Sequence, residues 1–451
     1  MTAVITAPRE SAHPAPSLPT YRFELLKMLA QWRIRLVLLA CWLGPALFVA
    51  VVSQQSSLPS DTVFGRWMGQ TGWAGPLVVL SFCSSWALPL LTSVVAGDVF
   101  AVEDRLGTWR HLLVAVRSPR RIFAAKALAS LTLVVLLVVG LAASGVAGGL
   151  IAVGNQPLVG LGGQSVAPGN AAVAVLLAWA CALAPTCAFA AVGLLGSVAL
   201  GRSPMGLLVP ALLALLLQLA QVLPLPVAVR VALPSYAFLA WRGLFTEPVQ
   251  TTPLVLGLVV SLVWAVAATA LAYRLFLRRD FTDAAYDGLG RRSLLEAVLP
   301  LTALLAVSVG VVAASTPATG SGIDQPKLQG SVAVAYAHLY RLQAQELHRP
   351  DVTEQQLQTT ASCDKGGSLV EDHGPGNDWR CVVSWRIPGA TAVGSAIYQL
   401  DVTPDGRYVA DGDGPNQVNG FFQVHTPTGD ASNPLWQFDG SVDLLNSAPK
   451  G

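Results

Sequence analysis

Uncharged apolar stretches of about 18 to 30 residues recur along this chain, and about 20 are enough to cross a bilayer as a helix. Lipid offers no partner to a backbone N–H or C=O, so unbroken runs of this length predict helices. The predicted spans are 36–52, 76–96, 124–153, 171–200, 206–223, 254–276 and 294–314. The third and fourth are longer than a bilayer needs and must tilt, kink or project, with Pro185 a natural kink site. Of the 451 residues only 12% are charged, against about 25% in a soluble domain. That excludes a single soluble core, and a formal net charge of +2 gives no case for nucleic acid.

The basic residues set an orientation, because cytoplasmic loops hold the excess of Lys and Arg. Residues 1–19 contain no apolar core of signal-peptide type and read as a disordered tail; the first hydrophobic run follows Arg33 and Arg35, which places the N-terminus inside. Arg9, Arg22, Lys27, Arg33, Arg35, Arg105, Arg110, Arg117, Arg120, Arg121, Lys126, Arg202, Arg274, Arg278, Arg279, Arg291 and Arg292 then fall on the cytoplasmic side, and Arg66, Arg230 and Arg242 opposite. A seventh span carries the rest of the chain out of the cytoplasm.

The polar tail reads as a separate domain, 331–451, after a linker at 315–330 containing Pro317, Gly320 and Gly322. Val332, Tyr336, Leu339, Leu342 and Leu347 share one helical face. Trp379, Cys381, Val383, Trp385 and Ile387 alternate with polar residues as in a half-buried strand. Ala396, Tyr398, Leu400 and Val402 lead through Pro404-Asp405-Gly406 to Tyr408 and Ala410, a hairpin. One helix on an antiparallel sheet follows, so the predicted fold is a mainly α-helical polytopic membrane protein of about seven transmembrane helices with a small α+β extracytoplasmic domain. Cys363 and Cys381 are the only cysteines in the tail, and an oxidising exterior favours a disulfide between them; no clustered histidines complete a zinc set. Cys41, Cys83, Cys181 and Cys187 lie in apolar spans as small buried hydrophobes.

Between spans two and three stand Asp98, then Glu103, Asp104, Arg105, Gly107, Thr108, Trp109 and Arg110, then Arg117, Pro119, Arg120, Arg121 and Lys126. A loop held at both ends by membrane helices can present a short helix to a cytoplasmic partner; the same charges also suit an ordinary interfacial loop. Over 21–35, Leu25, Met28, Leu29 and Trp32 share a face opposite Glu24, Lys27, Gln31 and Arg35, an interfacial helix over 20–35. Pro224, Pro226 and Pro234 interrupt an apolar segment between spans five and six, consistent with broken helices shielded by protein or with an outer loop resting on lipid. Gln218 and Gln221 lie in span five and Glu296 at the mouth of span seven, and no buried carboxylate chain suggests proton coupling.

The loop resembles that of ABC-2 type exporter permeases, in which an acidic residue precedes a Gly-Thr pair, followed by a short helix, a small-Pro-basic element and a basic residue opening the third span. Glu103, Gly107, Thr108, Ser118, Pro119, Arg120 and Lys126 match. The resemblance covers residues 20–280 and implies a six-span permease domain at 36–280, with the connector and seventh helix at 281–314 as additions. It further implies that the loop docks on a separate cytoplasmic ATPase, that ATP is bound by that subunit alone, and that two permeases pair as a homodimer or heterodimer in a bacterial cytoplasmic membrane. An apolar pathway favours an amphipathic or lipid-like cargo. No G-x-x-x-x-G-K-[ST] loop is present, so catalysis is not expected of this chain; Gly160-Leu161-Gly162-Gly163-Gln164 lies in an outer loop, and Asp411-Gly412-Asp413-Gly414 meets Pro415 where a calcium loop needs a ligand. The alternative is a membrane-anchored binding or assembly protein whose tail presents Trp or Tyr to a partner, although an anchor needs one span.

Overall fold

A computed structural model describes residues 17–55, 71–116, 118–200, 205–279, 291–317, 320–366, 371–414, 421–427 and 429–446. Helix α1 (Ser17–Leu29) precedes α2 (Trp32–Ser53). Next come α3 (Ala74–Leu106), the short α4 (Trp109–Val116) and α5 (Pro119–Ala152). A two-stranded turn, β1 (Leu158–Val159) with β2 (Ser165–Val166), leads to α6 (Pro168–Leu200) and α7 (Met205–Val222). Short helices α8 (Val227–Val231) and α9 (Ala237–Ala240) lie before α10 (Thr251–Arg278) and α11 (Arg291–Ser315).

Among the described residues, α2, α3, α5, α6, α10 and the Leu295–Ser315 part of α11 are long and apolar enough to cross a membrane, six helices in all. The predicted fifth span is α7, whose apolar part, Leu208–Val222, is shorter than the others. Helix α6 packs between α3 and α10, and α2 lies along α5. Pro185 is accommodated inside α6, where Thr186 Oγ1 returns a hydrogen bond to the Ala182 carbonyl. A π turn at Cys83–Ala87 interrupts the regular bonding of α3, and the Ser84 carbonyl there accepts from Gln218 Nε2 of α7 at 3.0 Å.

The interfacial helix expected over 20–35 is broken. Gln31 is extended (φ −71°, ψ 125°), α1 ends at Leu29, and Trp32, Arg33 and Arg35 belong to α2. Its buried face is also rotated: Glu24 lies inside with Met28, whereas Phe23 and Leu26 are exposed. The cause is Lys126, a buried ammonium whose need for a counter-charge outweighs the apolar stripe.

The tail builds α12 (Gln325–Glu346), α13 (Glu354–Leu357) and an antiparallel sheet ordered β3 (Thr360–Asp364), β4 (Gly376–Trp385), β5 (Gly394–Val402), β6 (Arg407–Gly414) and β9 (Gln437–Ser441). A hairpin, β7 (Gln423–Thr426) with β8 (Gly429–Ser432), is inserted before β9. Helix α12 starts six residues before the expected position, because Asp324 Oδ1 caps Lys327 N at 3.0 Å and Pro326 suits the first turn. The linker expected over 315–330 is correspondingly short. The alternating positions of β4, β5 and β6 are buried as read from sequence, except Ile387, which lies beyond β4 and is exposed. Tyr336, Trp385, Tyr398, Tyr408 and Phe438 pack as one aromatic core between α12 and the sheet.

Cys363 and Cys381 are register partners on β3 and β4 and form a disulfide across 18 residues of sequence. Closing a loop of this length is worth about 3 kcal/mol in the chain-entropy account. Replacing both cysteines with Ala is expected to lower the tail's melting midpoint while leaving the helical bundle intact; an unchanged midpoint, or reactive thiols at these positions in unreduced protein, would count against the bridge.

Candidate functional site

The predicted loop folds inward. Glu103, at the last turn of α3, is fully buried; its carboxylate accepts from Lys126 Nζ at 2.7 Å and also from Thr108 Oγ1 and Lys27 Nζ. Lys126, 1% exposed on α5, reaches Glu24 of α1 at 2.9 Å, and the Phe100 and Trp109 rings lie about 6 Å from its ammonium. The Glu24 and Glu103 carboxylates and the Lys126 ammonium thus join α1, α3 and α5 away from water, where an ion pair holds only if each charge is matched, with the half-buried Lys27 closing the set at its edge.

Gly107 ends α3 in the left-handed region (φ +66°), and that turn lets Thr108 N bond back to the Glu103 carbonyl at 3.2 Å. The chain then re-enters as α4 with Trp109 buried against Phe100 and Phe276. Asp104 accepts from Trp109 Nε1 at 2.6 Å and from both terminal nitrogens of Arg279, at the end of α10. Arg105 turns toward Asp98, which Arg33 also holds at 2.7 Å. Pro119 sits in the first turn of α5, Arg120 is exposed, Arg121 is half-buried, and Arg117 lies outside the described residues.

The expected docking residues therefore divide. Glu103, Asp104, Thr108 and Trp109 lock α4 onto α1, α3, α5 and α10. What faces outward is Leu106 (61% exposed), Arg110, His111, Val114 (77% exposed) and Arg120. Leu106, His111 and Val114 were not among the residues singled out in the sequence, and neither were Glu24, Lys27 and Arg279 as parts of the site. A charge inside an apolar helix was the available signal for Lys126 and hence for a partner such as Glu24.

At the other end of the bundle the broken segment between α7 and α10 packs against the tail, with Val227, Val231, Tyr236 and Ala240 in one buried cluster with tail residues. Arg230 of α8, 1% exposed, donates to the carbonyls of Ser321 (3.0 Å), Leu225 (3.2 Å) and Pro404. Arg242 pairs with Asp405, which also accepts from Thr403 Oγ1 at 2.5 Å and Arg407 Nε at 3.2 Å. Burial raises the Asp405 carboxyl, but Arg242 and Arg407 outweigh that and hold it below the usual carboxylate range; burial takes Arg242 down to about 10, with Arg407 adding and Asp405 opposing. The Gly160–Gln164 turn belongs here: His338 Nδ1 of α12 meets the Gly162 carbonyl at 2.7 Å, and Gly163 (φ +78°) sits under Leu339. Gln221 Nε2 bridges the Arg230 carbonyl (3.1 Å) and Ser235 Oγ (2.8 Å). Trp379 and Trp385, with Tyr336, Tyr340, Tyr398 and Tyr408, are buried and are not displayed to a partner.

A scan against family models returns no match to this sequence, and a search of curated proteins returns none either.

Proposed function

We propose that this chain is the membrane subunit of an ATP-driven exporter of the ABC-2 type, working with a cytoplasmic ATPase subunit and paired with a second copy or a related permease. The observation that carries the reading is the inward locking of Glu103 and Asp104, which makes α4 a rigid outward-facing element fixed to three long helices and to α1. A partner pressing on Leu106, Arg110, His111 and Val114 would move α3, α5 and α10 together. Orientation with this loop in the cytoplasm rests on the seventeen-to-three distribution of basic residues, and with α7 counted the chain has seven spans and an extracytoplasmic tail. An amphipathic or lipid-like cargo suits the apolar groove between α5, α6 and α10, lined by Phe123, Leu128, Leu194, Val266 and Tyr273.

Affinity purification from native membranes tests the proposal: a co-purifying nucleotide-binding subunit with vanadate-sensitive turnover supports it, and a chain that purifies without one sinks it. Val114→Asp places a charge in the apolar centre of the outward face. It is expected to cost about 2 kcal/mol of association, roughly thirtyfold, with no change in melting temperature. Retention of the ATPase by the variant would show that α4 is not the docking element.

A further inference from the structure

On the side of the bundle that carries the α3–α4 turn, a cleft runs between α1, α2 and α3, charged at one end by Lys27, Arg33 and Asp98 and walled beyond them by Val37, Leu91 and Val94. Val37 follows Arg33 by one helical turn, Val94 precedes Asp98 by one turn and Leu91 by two, so the apolar walls extend about 10 Å from the charges along the helix axes. The charged end lies where the chain breaks between α1 and α2. Trp32 at that break is 71% exposed, the position of an aromatic side chain at a lipid–water boundary. A cleft with this order of surfaces fits a molecule with a charged head and an apolar chain.

The charges select the sign of that head. Glu24 and Glu103 are matched by Lys126 and Lys27, and Asp98 is held by Arg33 at 2.7 Å and approached by Arg105 at 3.8 Å, so every carboxylate at the cleft is engaged. Arg35 stands at the same break, where its Nε donates to the Leu29 carbonyl at 2.7 Å, and among the described residues no carboxylate pairs with it. Positive charge is therefore left over. Donors are left over as well: Arg33 meets both Asp98 and Gln31 through Nη2, its side chain is 49% exposed, and its Nη1 and Nε stay open. Helix α2 also starts at Gln31 without a side-chain cap, which adds backbone N–H groups of the same polarity beside Arg33. Basic clefts between membrane helices at headgroup level bind acidic lipids.

We propose that this cleft holds an acidic phospholipid, its phosphate on Arg33 with Arg35 supplying the excess charge, and one acyl chain along Val37, Val94 and Leu91. The site needs only a membrane around the helices and does not depend on the exporter reading. Native mass spectrometry of the full chain in maltoside micelles provides the test, comparing dioleoyl phosphatidylglycerol, dioleoyl phosphatidylcholine and glycerol 3-phosphate, a head without a chain. Phosphatidylglycerol is expected to bind best, and glycerol 3-phosphate not at all over the same concentrations. Arg33→Gln with Arg35→Gln should weaken phosphatidylglycerol by about tenfold, equivalent to about 1.4 kcal/mol, and bring it to the level of phosphatidylcholine. Arg274→Gln with Arg278→Gln, which removes two exposed bases of α10, should leave its binding unchanged. Val94→Trp fills the apolar part of the cleft and should weaken phosphatidylglycerol at an unchanged melting temperature, which decides the matter if the Arg33 and Arg35 variant folds poorly. Equal binding of the two lipids to the unaltered protein, an equal loss in the two pairs of arginine variants, or glycerol 3-phosphate binding as tightly as the lipid would overturn the proposal.

Discussion

Lys126→Met is expected to destabilise the protein by about 3–5 kcal/mol, because it takes the counter-charge from the buried Glu24 and leaves the buried Glu103 only the half-exposed Lys27. Domains are stable by only about 5–15 kcal/mol, so the variant should lose much of its folded population on mild heating, read by size exclusion after a temperature series. Adding Glu24→Gln and Glu103→Gln to Lys126→Met should recover most of the loss, since neutral residues of similar volume replace a buried ionic set at little cost. Arg120→Ala, at the exposed start of α5, should leave the melting curve alone and lower transport. A Lys126→Met protein that melts like the parent would mean that these charges are hydrated, and the rigid-lever account of α4 would go with them.

Arg230→Met has the second large effect. It removes a buried guanidinium from three carbonyls contributed by the segment after α7, the approach to α12, and the β5–β6 hairpin. Hydrogen bonds from a charged donor are worth about 1.5–3 kcal/mol each, so a loss of about 3 kcal/mol or more is expected at this junction. Hydrogen exchange should rise in 160–164 and 403–407 while the helical bundle stays protected. Uniform protection in the variant would show that Arg230 does not hold the tail. The same measurement has a defined pH dependence. Asp405 is depressed in the folded protein, so its contribution is complete above the unfolded carboxyl value of about 3.9 and is lost only as pH falls through the lower folded value. Docking should therefore be unchanged between pH 7 and pH 5, and release at pH 5 would contradict the Arg242–Asp405–Arg407 arrangement.

Periodicity made most of the architecture legible. Apolar run length placed the long helices, and the period of two in 379–385 and 396–402 placed both central strands, because each pattern follows from one residue meeting one environment. What it could not place were positions decided by a single distant partner. Glu24 looks like the polar side of an interfacial helix until Lys126, 102 residues away, is seen beside it. Glu103 reads as a residue shown to a partner until Thr108, Lys27 and Lys126 close around it. The start of α12 is a different kind of miss: Asp324 and Pro326 are a local start signal, visible in the sequence but overshadowed by the glycines before them.

Helix α11 is 11% buried over its apolar window and therefore holds the tail domain in place more by attachment than by packing. A short connection of this kind sets an effective concentration near the millimolar range for the junction it serves. Contacts that would be too weak to hold a free tail domain then suffice to keep it docked, and each opening is followed by rebinding to the same site. The attached domain can accordingly part from this end of the bundle and return many times without being lost, whereas the same domain supplied as a separate chain would need about millimolar concentrations to take its place.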